Sequence, residues 1–128
     1  MWSDKYYYLQ LFKDVDLSEE VSTKKVRQLI NGFDELKSLG DFEFRNKKGF
    51  PFIQLLLLNV NSLRSWSEKD VNSEKTNLIT IVCSKNEDFD TFLEILLKIA
   101  VHLNWTLVDE ETDEGVENYI IWHSKKEK

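Results

Sequence analysis

The residues of this 128-residue chain with the types to do chemistry are one cysteine, Cys83, two histidines, His102 and His123, an isolated tryptophan, Trp66, and a run of carboxylates. Cys83 ends an apolar stretch and precedes Ser84 and Lys85 at the start of a helical pattern, where amide dipoles stabilise a thiolate. Free cysteine is, however, among the most buried residue types. We therefore read Cys83 as a small core residue, with a Cys83-dependent enzyme as the lesser alternative. Nothing in the spacing brings His102 or His123 to it as a base, and both read as surface histidines. One cysteine and two histidines fall short of a structural zinc site. The chain has no glycine-rich phosphate loop, G-x-S-x-G elbow, H-E-x-x-H pair or EF-hand register. The expectation is no catalytic residue, no metal and no cofactor.

The carboxylates are the stronger signal. Asp109, Glu110, Glu111, Asp113, Glu114 and Glu117 fall within nine residues that hold no lysine or arginine. Such a run either keeps an exposed turn solvated or forms a docking surface, where a complementary field speeds the approach of a basic partner. Asp14, Asp16, Glu19 and Glu20 extend that surface if the first strand lies beside it. Trp66, within Ser65-Trp66-Ser67, is either folded back over the core or left out as an interface anchor. Tyr6, Tyr7, Tyr8 and Trp2 invite a base-stacking reading, but stacking platforms come with a basic groove. With 17 basic and 23 acidic residues, the net charge of -6 opposes direct nucleic-acid binding.

The elements that position these residues are legible from pattern. The length suits a single domain over residues 1–128. The only proline opens the longest apolar run, Gly49 to Val60, whose four consecutive leucines read as a central strand buried on both faces. Tyr6 to Phe12 reads as a first strand. Val26, Leu29, Ile30, Phe33 and Leu36 form one helical stripe, with Ser22 or Thr23 as N-cap and Gly40 at the C-terminal cap. Asp41 to Arg45 alternates and is turned into the central run by Asn46-Lys47-Lys48-Gly49. Leu78 to Cys83 returns as a strand. A capping box at Ser84 and Glu87 precedes a second helix reaching Asn104. Trp105 to Val108 and Tyr119 to Trp122 make a last hairpin with the acidic run at its tip.

This order, β-α-β-β-β-α-β-β, predicts an α+β two-layer sandwich, mainly antiparallel, with two helices and a split β-α-β plan. Helices on one face leave the other face to the long segment Asn61 to Thr76 or to a partner chain. No apolar run approaches the ~20 residues of a membrane span, and the first residues lack the pattern of a signal peptide. A single cysteine fits a reducing cytoplasm.

The stretch P-F-I-Q-L-L-L-L-N-V, followed by S-W-S and T-N-L-I-T-I-V-C-S-K, resembles bacterial immunity proteins of polymorphic toxin systems. The resemblance covers Pro51 to Lys85 and implies a small inhibitor that occludes a cognate toxin domain, often a nuclease, with an acidic face. The expected function is a non-enzymatic inhibitor of a basic protein, acting through Asp109, Glu110, Glu111, Asp113, Glu114, Glu117 and Trp66. The alternative is a small homodimeric adaptor; the chain is expected to be a monomer or a homodimer.

Overall fold

A computed structural model of the chain describes residues 5–63, 74–85, 88–111, 115 and 117–125. In chain order the elements are β1 (Tyr6–Phe12), β2 (Val21–Ser22), α1 (Thr23–Asn31), β3 (Leu36–Ser38), β4 (Glu43–Asn46), β5 (Ile53–Leu58), β6 (Lys75–Thr76), β7 (Leu78–Ser84), α2 (Phe89–Leu103), β8 (Thr106–Glu111) and β9 (Glu117–Trp122). The longer ones follow the predicted order; β2, β3 and β6 are short additions. Seven strands form one antiparallel sheet, ordered β3-β4-β5-β7-β1-β8-β9, while β2 and β6 pair with each other. Because β7 and β8 both run antiparallel to β1, they are parallel to one another. The unit β7-α2-β8 is thus the split β-α-β of the expected plan, with the first strand of the chain inserted in the gap.

Alternation along the strands sorts the side chains between the faces. Leu9, Leu11, Leu55, Leu57, Ile79, Ile81 and Leu107 point to the helices, where Val26 and Ile30 of α1 and Phe92, Leu96 and Ile99 of α2 complete the main core. The opposite face carries a smaller cluster of Phe12, Leu58, Val60, Leu78 and Val108, with Leu17 and Leu63 packed against it. The chain's own residues around Leu17 and 60–63 therefore cover one end of the helix-free face. Trp66 and the rest of residues 64–73 lie outside the described residues, while the end of that segment forms β6.

Three expectations are corrected. The run at Leu55 to Leu58 lies in the third strand of seven, and the middle place belongs to β7. Of β5's residues only Leu58 is buried on the helix-free face, while Gln54 and Leu56 there are half-buried. Next, α1 stops at Asn31 and not at Gly40. Ser22 holds the N-cap position without a side-chain bond, and Gly32 accepts the end of the helix in a right-handed conformation. Leu36 keeps its burial by a change of period, since it opens β3 opposite Asn46. Third, Ser84 does not cap α2. It is held in β7 opposite Tyr6, its N–H donating to the Phe52 carbonyl at 3.1 Å, so the ladder takes the residue that the capping pattern claimed.

The cap of α2 is Asp88, whose carboxylate accepts from the Asp90 N–H at 3.1 Å; Asn104 ends the helix in the left-handed conformation that asparagine tolerates. Asp88→Ala is expected to cost about 1 kcal/mol, read as a lower urea midpoint with an unchanged slope. Asp88→Ser should recover most of it.

Among the described residues no helix is long and apolar enough to cross a membrane.

Candidate functional site

The strand order places the site. Because β1 is hydrogen-bonded to β8, the acidic segment that follows β1 comes to the same side of the sheet as the acidic strand β8. On the helix-free face the two meet around a cleft of about 750 Å³. Its floor is made by Gln10 and Phe12 of β1, Val108 and Glu110 of β8, and Asn118 and Ile120 of β9. Lys13 to Asp16, Asn61 to Leu63 and His123 form the walls.

The cleft is built from the alternation of its strands. Gln10 is the polar member of the outward row Tyr8, Gln10, Phe12, and lies opposite Val108. It is 6 % exposed and lies on the cleft floor, where its amide can both donate to and accept from a ligand. Glu110 shares this face. Burial, and then the negative charge of Asp109, push its carboxyl above the ordinary glutamate range. Asn118 adopts a left-handed φ of 53° inside β9, a conformation asparagine bears better than most residues.

The wall between β1 and α1 is fixed by its own acids. Asp14 accepts the Asp16 and Ser18 N–H groups, each at 3.1 Å, and the Ser18 hydroxyl. The Ser18 hydroxyl, the largest influence, and the N–H bonds hold its carboxyl below the usual aspartate range. Glu19 accepts the Trp105 indole N–H at 2.9 Å, and Glu20 accepts the Asn59 amide. Three of the four acids expected to extend a docking surface thus tie the chain to itself. Asp16 stands exposed on the rim, where it also borders a smaller polar hollow with Asn59, Lys75 and Asn77.

Among the described residues, the acidic run of 109–117 does not form one surface. Strand β8 extends through Glu111 and β9 begins at Glu117, so four of the six acids belong to the ladder and not to its tip. Alternation then divides them. Asp109 lies on the helix side, 7 % exposed, opposite Leu9, whereas Glu110 lies in the cleft. Glu111 is paired with the exposed Glu117. Asp113, Glu114 and Trp66 lie outside the described residues.

Cys83 is fully buried in the main core, with its thiol pushed up to about 12 by desolvation and, second, by the charge of Asp109. The histidines do not approach it: His102 is exposed on α2, and His123 lines the cleft on the other face of the sheet. Among the described residues no group of three His, Cys, Asp or Glu side chains is placed to hold a metal ion.

Sequence reasoning singled out Glu110 but missed Gln10, Asn118 and the role of His123. Gln10 alone had a signal, as the one amide in an otherwise aromatic and aliphatic strand. Comparison of the chain with protein-family models, curated proteins and solved structures found no match.

Proposed function

We propose that this chain is a non-enzymatic binding protein of the immunity type, which blocks a basic partner such as a toxin domain by receiving one of its cationic side chains in the β1-β8-β9 cleft. The observation that supports this is the placing of a half-buried carboxyl, Glu110, and the amide-bearing Gln10 in the lining of one cleft on the same face of the sheet. A guanidinium or ammonium group offers donors to both, and its charge offsets what burial costs the carboxylate. Phe12, Val108 and Ile120 supply apolar walls for the stem of such a side chain. Asp16 at the rim and the net charge of -6 add a field that draws a basic surface in.

The reading is tested with the polypeptide encoded beside this chain, assayed for toxicity and for binding. Protection is expected with the native chain, and Glu110→Lys should weaken binding by about 100-fold, as truncation or reversal at a desolvated charge pair does. Asp16→Lys should act mainly on the association rate and on its salt dependence. The pH dependence follows from the raised Glu110 carboxyl. A cation binds the ionised form, so affinity should fall as pH drops through a range above that of an ordinary glutamate, and Glu110→Gln should flatten the profile. Unchanged affinity in Glu110→Lys removes the cleft as the docking site.

A further inference from the structure

At one side of the sheet β9 pairs with β8 along its inner edge, and no described strand pairs with its outer edge. Edge strands are commonly protected from further pairing by lysine, proline, inward-pointing charge or a bulge, and of these β9 carries the bulge, opposite Leu107 and Val108. Glu117–Trp122 contains neither lysine nor proline, and its middle residues Tyr119 and Ile120 are 53 % and 48 % exposed. Successive strand residues face opposite sides, so the outer edge is apolar above and below the sheet. The charge along it is directional: Glu117 stands at its start, and His123 and Lys125 follow its end.

That pattern is self-complementary in one orientation only. An antiparallel second copy sets each Glu117 towards the other copy's basic end and brings the Tyr119-Ile120 centres together. A parallel copy sets like charge against like. We propose that β9 is a dimerisation strand, through which two copies of this chain pair antiparallel about a two-fold axis into one continuous sheet. Such an interface uses the same patch twice and closes at two. The two-fold stands perpendicular to the sheet, so both clefts open on the same face, beside the axis, and the helices of both copies lie behind. Left-handed Asn118 and the register shift opposite Leu107 and Val108 limit the regular ladder to the residues around Ile120. A single short strand pair buries less than the ~1,200 Å² of a typical stable interface, so the dimer is a weak one, with a dissociation constant above about 1 μM.

Sedimentation of the full chain between about 1 μM and about 1 mM, from that bound upwards, tests it. Native protein is expected to pass from monomer to dimer across the series. Ile120→Lys should remain monomeric throughout with an unchanged circular dichroism spectrum. Glu117→Lys should raise the dissociation constant about tenfold, the effect of one charge contact at roughly 1.4 kcal/mol, and adding Lys125→Glu to it should restore most of the loss. A chain that stays monomeric at the highest concentration, a dimer indifferent to Ile120→Lys, or a charge swap without recovery each overturns the proposal. None of these results depends on what the cleft receives.

Discussion

Trp105→Ala is expected to lower the unfolding free energy by about 3–5 kcal/mol, the usual cost of emptying a large aromatic site. Trp105 is among the largest fully buried side chains, and it sits where α2 hands over to β8. Its backbone N–H donates to the Ala100 carbonyl at 2.9 Å, and its indole N–H donates to Glu19 Oε1 at 2.9 Å. The substitution therefore opens a cavity beneath the sheet and also releases a carboxylate 86 positions away in the chain. Small domains are held by only about 5–15 kcal/mol in all, so the variant should unfold at a much lower urea concentration. Trp105→Phe separates the two contributions. It refills most of the volume and loses only the charged hydrogen bond, for about 1.5–3 kcal/mol. An alanine variant within about 1 kcal/mol of the native chain contradicts the packing described.

The second large effect concerns Cys83. Its thiol, raised from 9.0 to about 12, should hold about a thousandfold less thiolate at pH 8 than a free thiol, since the thiolate fraction falls about tenfold for each step of one in pKa. Alkylation by iodoacetamide in the folded protein should be slower by at least that factor and return to the ordinary rate in denaturant. Fast labelling of the folded chain argues for a reactive centre and revives the thiol-dependent alternative. The raised pKa also makes the fold sensitive to base. Its contribution to stability is fully present below pH 9.0, and it is lost as pH rises through the interval to about 12, because the unfolded chain releases the proton first. Cys83→Ser should show less loss across that interval.

Pattern revealed most of the scaffold and less of the site, for reasons visible in single residues. The first strand, the two hairpins and the second helix follow from periodicity alone, because Leu9 and Leu11, or Phe92, Leu96 and Ile99, must face one way to be buried. Boundaries failed where two local preferences competed. Ser84 satisfied a capping pattern and a ladder position, and the ladder prevailed because a lost strand bond leaves a polar group unpaired. Leu36 satisfied a helical stripe and a strand start. The carboxylates show the deeper limit. Composition gathers Asp109 and Glu110, and a strand's period of two puts them on opposite faces. Gln10 and Glu110 belong to one cleft only because β1 lies next to β8, and strand order across 90-odd residues leaves no local trace.

That same insertion decides when the protein can exist. During synthesis β1 leaves the ribosome well before either of its neighbours, residues 78–84 and 106–111. Until both have emerged Leu9, Leu11 and Phe12 have no permanent cover, and a product cut short before Thr106 leaves one flank of the opening strand bare. Closure over such sequence distances is slow. Until β8 arrives, the nascent chain therefore carries part of its apolar opening strand uncovered, and the last sheet partner to emerge is the one that completes the core.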